Sequence, residues 1–298
     1  MLKDYQNAVI IGSSGQDGYY LNQLCQSKGI ETILISRTGN GICADISNYK
    51  QVEDIIKASN PTYIYHLAAK STTNHDALFE NHQVISTATL NILESVYKHS
   101  PNSKVFITGS GLQFLNEGNP IDEHSVFLAT SPYAISRIQS VYAARYYRTL
   151  GLKVYVGYLF HHESPLRKIN HVSQKVVQTA KQISQGLNTK LIMGDLSVEK
   201  EWTFAGDVVK GIMTLVEQDD IFEAVIGSGK THSIQNWVEI CFSMLNLDWQ
   251  FYVEQKKDFQ SEYKRLISNP SLINSLHWQP NVSFAELAKM MIKSQIQN

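Results

Sequence analysis

An α/β fold built on a doubly wound parallel sheet is what this 298-residue sequence predicts, on three observations. An apolar β-type run at residues 8–11 breaks at Gly12, repeats glycine at Gly15 and Gly18, and restarts as an amphipathic helix. Strand-like runs at 8–11, 32–35, 62–67, 105–108 and 153–159 then alternate with helical patterns at 17–28, 48–58, 82–98 and 133–150. Such alternation is the signature of parallel strands joined by crossover helices. After Phe160 the order loosens. Helical patterns near 172–185, 207–217, 234–245 and 284–293 are separated by short strand-like pieces at 190–193 and 223–226. Residues 1–160 therefore read as one domain and 161–298 as a smaller C-terminal α/β lobe that covers a substrate, with segments returning to the main sheet.

The glycines give the first domain its chemistry. Gly12 permits a tight turn off the strand, Gly15 lets the backbone approach a pyrophosphate, and Gly18 lets helix and sheet pack closely. Phosphates then sit at a helix N-terminus, as in a Rossmann fold. The spacing, G-x-x-G-x-x-G, is one residue wider than the commonest form. At the end of the second strand an acidic residue would hold a ribose 2′-hydroxyl. Here Ser36-Arg37-Thr38 offers a cation suited to a 2′-phosphate, which favours NADP over NAD, although a solvated surface arginine would look the same. Asp45 and Ile46 follow the next turn, in reach of an adenine edge. Ala68 and Ala69 end the strand TYIYHL, where small side chains admit a cofactor or simply a tight strand end.

Composition narrows the class. A hydrophobic content of 43% supports a large core, and a net charge of -1 with no long basic run gives no electrostatic footprint for nucleic acid. Cys25, Cys43 and Cys241 form no C-x-x-C pair, which fits a reducing, cytoplasmic setting. The opening MLKDYQNAV places charges before a short apolar run broken by Gly12, which is neither a signal peptide nor a membrane span.

The sharpest constellation is Ser131-Pro132-Tyr133-Ala134-Ile135-Ser136-Arg137. Ser131 suits an N-cap and Pro132 the first helical position, so Tyr133 and Arg137 share one helical face four residues apart. A fixed cation beside a phenol stabilises the phenolate. That equips the tyrosine to exchange a proton with a hydroxyl or carbonyl while a nicotinamide exchanges hydride.

At these residues the chain resembles the extended short-chain dehydrogenases/reductases, and specifically the GDP-mannose 4,6-dehydratase family. The resemblance runs nearly end to end. It includes GSSGQDGYYL with Gln16-Asp17, HLAAKS ending at Ser71, SPYAISR, YLFHHESPLR, MGDLSVEKEWTFAGDVV and LHWQPNVSFAELAKMM. It implies a nucleoside diphosphate-sugar substrate that is GDP-linked, and assembly as a homodimer or homotetramer through helices 82–98 and 133–150. It also implies that His162 and Arg167 contact the NADP, together with Gln16 and Asp17, and that Glu163 faces the sugar. Read by themselves, His161-His162-Glu163 suggest a metal site, but neighbouring side chains on a strand point to opposite faces and chelate poorly, so no metal is expected.

Departures from the family pattern are as informative. Family members place lysine four residues after the tyrosine, where this chain has Arg137. They also carry a hydroxyl residue and a glutamate after the strand at 105–108. Counted without gaps from Phe106, these positions fall on Gly111, next to Ser110, and on Gln113; shifted by one residue, they fall on Ser110 and Leu112. The carboxylate is missing under either count. The expected catalytic set is therefore Tyr133, Arg137, Ser110 and Gln113, with Glu117, Asp122, Glu123 or Glu163 able to stand in as an acid. In the family reaction hydride leaves C4, the glutamate removes the C5 proton, water departs from C6 and hydride returns there. An amide cannot take up that proton. Substrate contacts are expected at Lys200, in place of a family arginine, and at Glu262 and Arg265. Three readings stay open: a dehydratase-like enzyme acting at C4, a C4 dehydrogenase or ketoreductase without water elimination, and a catalytically inactive cofactor-binding homologue that serves as a partner subunit.

Overall fold

The structure is a computed structural model that describes residues 6–39 and 41–294. Residues 1–5 of the charged opening segment lie outside it. In chain order the first half runs β1 (Asn7–Ile11), α1 (Gln16–Ser27), β2 (Glu31–Ser36), β3 (Ile42–Cys43), α2 (Tyr49–Ser59), β4 (Tyr63–His66), α3 (Leu78–Asn81), α4 (Ala88–His99), β5 (Lys104–Ser110), α5 (Pro132–Thr149) and β6 (Lys153–Leu159). The second half holds β7 (His162–Glu163), α6 (Val172–Ser184), β8 (Leu191–Met193), β9 (Glu199–Glu201), β10 (Thr203–Phe204), α7 (Ala205–Val216) and β11 (Glu223–Ile226). It closes with β12 (Thr231–Ser233), α8 (Ile234–Ser243), β13 (Val253–Gln255), β14 (Arg265–Leu266), α9 (Ser271–Ser275) and α10 (Phe284–Lys293).

Seven parallel strands form the main sheet in the order β11-β6-β5-β4-β1-β2-β3. The order reverses between β1 and β4, which opens a crevice at the carboxyl ends of the strands. Both faces are covered, so alternate residues of one strand enter different cores. Val9 and Ile11 pack with α2, α4 and α5, whereas Ala8 and Ile10 pack with α1 and α7. The helix expected at 82–98 begins earlier. It runs from α3 through a π-helical turn (His82–Thr87) into α4.

Although β11 belongs to the second half of the sequence, it is the edge strand beside β6. Arg145 holds it to α5 through two hydrogen bonds to Glu223, 2.9 and 2.7 Å, and Tyr158 donates a third at 2.6 Å. Elsewhere β7 pairs with β10, β13 with β8, and β9 lies between β12 and β14. These pieces surround a third core in which Trp202 stacks on Trp237 at 4.6 Å.

Glu201 ties that small sheet together. Its buried carboxylate accepts the backbone N–H of Ser228 (2.5 Å), Gly229 (3.3 Å) and Ser268 (2.6 Å), and the Ser268 hydroxyl. A Cβ on Gly227 would stand 2.5 Å from the same carboxylate, so glycine is required there. Glu201→Ala strands the backbone N–H groups of Ser228 and Ser268, while that of Gly229 keeps the Ser268 hydroxyl at 3.2 Å. We expect a loss of about 3 kcal/mol or more in denaturant unfolding, with a smaller loss for Glu201→Gln, which keeps an acceptor.

Candidate active site

The loop after β1 is built so that main chain, not side chain, faces the crevice. Gly12 has φ +92°, and a Cβ there would lie 2.7 Å from the backbone nitrogen of Ala68. At Gly18 a Cβ would lie 2.5 Å from the Gly12 carbonyl oxygen. Helix α1 starts after Gly15 with no side-chain cap, which leaves its first N–H groups open at the reversal of strand order. Bare backbone, an uncapped helix start and the switch point together fit the pyrophosphate of a dinucleotide.

Gln16 and Asp17 face inward and join this loop to β7. The Gln16 amide accepts from the Ser164 hydroxyl at 2.8 Å and reaches the His162 carbonyl at 3.4 Å. His162 Nε2 stands 2.9 Å from Asp17 Oδ1 and its Nδ1 stands 2.7 Å from the Phe160 carbonyl. Burial opposes charge on the imidazole, yet the Asp17 carboxylate raises its pKa above the usual value. Farther along the crevice, Arg37 is exposed and lies 3.3 Å from Glu80, which also pairs with Lys70 at 3.3 Å. Asp45 instead closes a local turn onto Ser47 (2.9 Å), Ile46 is buried, the Ala68 backbone stands against Gly12, Ala69 is partly buried beside it in sequence, and Ser71 is exposed.

Tyr133 opens α5. Ser131 caps the helix by accepting the Ala134 N–H at 3.2 Å, with Pro132 in the first turn. Arg137 is 2% exposed, and its guanidinium carbon lies 5.1 Å from the centroid of the Tyr133 ring. It donates to the Thr108 carbonyl, and the Thr108 hydroxyl donates to the His66 carbonyl at 2.8 Å. Both ring nitrogens of His66 and Nε of Arg137 are buried without partners among the described residues. Burial, and then the Arg137 charge, push the His66 pKa down to about 3, so this ring is neutral.

Gln113 is placed differently from the sequence expectation. It is fully buried, and its amide oxygen accepts the Ser110 N–H at 2.9 Å, while the Ser110 hydroxyl accepts the Leu112 N–H at 3.2 Å. This capping box turns Gln113 inward and leaves Leu112 on the outside of the turn. A cleft of about 620 Å³ follows, lined by Leu112, Phe114, Leu128 and Ser131 on one side and by Thr73, Glu262, Tyr263 and Arg265 on the other. Glu262 bonds the Thr73 hydroxyl, and Arg265 pairs with Glu199 at 3.3 Å. Of the acids considered as replacements, Glu117 reaches this lining, as does Glu262, which was expected as a substrate contact. Asp122 bonds Ser125, and Glu123 accepts the Val225 N–H at 2.6 Å.

A second charged group lies inside the C-terminal lobe. Glu163 is 1% exposed and is enclosed by Arg167 (3.0 Å) and His161 (2.8 Å), so it does not reach the cleft lining as expected of a sugar contact. Burial alone would raise its pKa, but Arg167, His161 and Lys200 hold it well below the carboxylate range. Arg167 also donates from Nη2 to the His162 carbonyl at 2.8 Å. Lys200 lies 4.9 Å from the Trp202 ring centroid, and no carboxylate stands within ion-pair distance among the described residues. Burial pushes its pKa down to about 8, against the opposing pull of Glu163. Sequence reasoning missed the roles of Thr73 and His66. A histidine inside the apolar run TYIYHL was the one available signal for the latter.

The family profile described as GDP-mannose 4,6 dehydratase matches residues 9–291. GDP-mannose 4,6 dehydratase 1 of Arabidopsis thaliana is 30% identical over 336 aligned positions, covering 100% of this chain and 91% of the relative. Among solved structures, RMD from Pseudomonas aeruginosa complexed with NADPH superposes with a TM-score of 0.85 at 19% identity, covering 96% of this chain and 97% of that one. UDP-glucose 4-epimerase of Thermus thermophilus complexed with NAD gives 0.83 at 17%, covering 96% and 98%. The crevice, the tyrosine helix and these likenesses agree, and the chain belongs to the GDP-mannose 4,6-dehydratase family of extended short-chain dehydrogenases/reductases.

Proposed function

We propose that this chain acts at C4 of a hexose carried on GDP, with NADP as its cofactor. The observation that carries this reading is the Arg137 guanidinium, buried against the Tyr133 ring at the edge of the crevice. A nicotinamide dinucleotide held by the backbone of the Gly12–Gly18 loop supplies hydride exchange. Tyr133 passes a proton to or from O4, and Arg137 compensates the phenolate charge. The Ser110 hydroxyl, which already accepts the Leu112 N–H, keeps its own hydrogen free to donate to O4.

Arg37, with Lys70 close by, supports the preference for a 2′-phosphate, and the Pseudomonas neighbour was solved with NADPH. Lys200, a buried cation without a carboxylate, supports binding of a diphosphate. We favour redox at C4 without loss of water because the turn after β5 brings no base to the cleft: Gln113 is turned inward and Leu112 lines the wall, which leaves Glu117 and Glu262, neither of them on that turn, as the carboxylates of the lining. We further propose that a second copy covers Ile135, Tyr142, Tyr146 and Leu150, which form an exposed apolar stripe along α5. Three free cysteines support a cytoplasmic setting.

Three outcomes are expected. Mass spectrometry of GDP-hexoses incubated with NADP or NADPH should show the gain or loss of two hydrogens, and loss of water from GDP-mannose would refute the elimination-free reading. Tyr133→Phe should cut turnover by roughly 10²–10⁴ while leaving dinucleotide affinity, read by fluorescence titration, unchanged. GDP affinity should fall as pH rises through about 8, where Lys200 loses its proton. The sign for stability is opposite: between that pH and about 10.4 the unfolded chain holds a proton that the folded one lacks, so stability rises with pH. Lys200→Met should abolish both dependences in calorimetry and thermal unfolding.

A further inference from the structure

The end of β4 carries a polar ring into an apolar layer. His66 pairs in register with Ile11 of β1 and Ile107 of β5, so its side chain enters the face on which both isoleucines pack, and it is fully buried there. Neither of its ring nitrogens has a hydrogen-bond partner among the described residues, and the buried Nε of Arg137 has none either. Three such atoms at one corner are costly, yet they are complementary. Arg137 Nε–H is a donor. A neutral imidazole offers one acceptor and one donor, and burial together with the Arg137 charge keeps the ring in that form. Thr108 ties the two residues together, since its carbonyl accepts from Arg137 and its hydroxyl donates to the His66 carbonyl at 2.8 Å. The π-helical turn closes the third side. The Val84 and Ile85 carbonyls stand toward the ring and favour its N–H, short of a formed hydrogen bond. Ile85 also accepts the hydroxyls of Thr89 in α4 (2.7 Å) and Ser140 in α5 (3.3 Å), which joins the turn to the helix of Tyr133 and Arg137. Turns of this kind gather at functional sites.

We propose that His66 is a positioning residue for the Tyr133–Arg137 pair: one ring nitrogen accepts the Arg137 Nε–H, directly or through one ordered water, and the other donates to the Val84 and Ile85 carbonyls of the π-helical turn. The proposal rests on the C4 reading above for its effect on turnover. A guanidinium is planar, and a single carbonyl at Nη1 leaves it free to turn about that bond. A second anchor at Nε fixes its plane against the Tyr133 ring. The anchor is itself held, because the π-helical turn that receives the imidazole N–H is fastened by Ser140 on the next turn of α5. An imidazolium would present two donors to a cation, and the link would break. An aliphatic side chain would fill the same space and leave Nε–H without an acceptor.

The test reads the Arg137 Nε–H itself, by hydrogen exchange in heteronuclear NMR of the full chain, with the resonance assigned through Arg137→Lys. In the unaltered protein this N–H should be protected. His66→Leu should make it exchange roughly 10-fold faster or more, and His66→Asn or His66→Gln, which set an amide at the depth of one ring nitrogen or the other, should restore the protection. In the C4 assay with GDP-hexoses and NADP, His66→Leu should lower kcat roughly 10–100-fold with KM and dinucleotide affinity unchanged, and the amide variant that restores protection should recover kcat. Unchanged exchange or unchanged kcat in a folded His66→Leu, or equal losses in the leucine and both amide variants, overturns the positioning role and leaves the C4 reading standing. Should His66→Leu fail to fold, the unaltered ring decides: one protonated and one bare nitrogen are expected throughout about pH 5–8 alongside a protected Arg137 Nε–H, and an imidazolium or a rapidly exchanging Nε–H overturns the proposal. An unaltered protein that turns over no GDP-hexose overturns the C4 reading, and the exchange measurement then judges His66 by itself.

Discussion

Burial of the Arg137 guanidinium without a carboxylate is the constraint around which the crevice is arranged. Removing such a charge from water is costly, and one backbone carbonyl with one aromatic face returns only part of that cost. The corner made by β4, β5 and α5 is shaped to keep it in place: Thr108 turns its carbonyl to Arg137 and anchors its own hydroxyl on His66. A neutral His66 adds no competing charge. An anion that forms only during reaction, a phenolate on Tyr133, is what would complete this environment. Lys200 repeats the arrangement in the other lobe, resting on Trp202 instead of tyrosine. Neither buried cation has a carboxylate within ion-pair distance among the described residues, an environment that an anionic ligand or an anion formed during reaction would complete.

Several buried acids are committed to holding elements together, which leaves Glu117 and Glu262 as the carboxylates of the cleft lining. Asp17 is held by His162, Glu163 by Arg167 and His161, and Glu223 by two arginines and Tyr158. Glu201 is saturated by backbone and serine donors. Asp207 joins α7 to the C-terminal segment by accepting the N–H of Asn281 and Val282, 2.8 Å each. Each acid fastens one element to another, and drawing any of them into proton transfer would loosen the scaffold that positions Tyr133.

Much of the main sheet was legible because its strands are long enough to show a pattern: β1, β2, β5 and β6 each span five residues or more. Strands β7, β10 and β14 have two residues each and hold their place through tertiary contacts, so they carry no periodic signal. Gly12, Gly15 and Gly18 were legible for a stronger reason, since backbone contact at Gly12 and Gly18 forbids a side chain. The π-helical turn between α3 and α4 left no mark that spacing could reveal.

Gln113 shows where reading by position gives way to geometry. A shift of one residue decides whether an amide or a leucine faces the cleft, and composition offers no choice between them. The deciding feature was present in the sequence all the same: Ser110-Gly111-Leu112-Gln113 has the S-x-x-Q form of a capping box. Once Gln113 satisfies the Ser110 N–H, its side chain is committed to the interior and Leu112 must face out. Local hydrogen-bond satisfaction thus fixes which side chain lines the cleft.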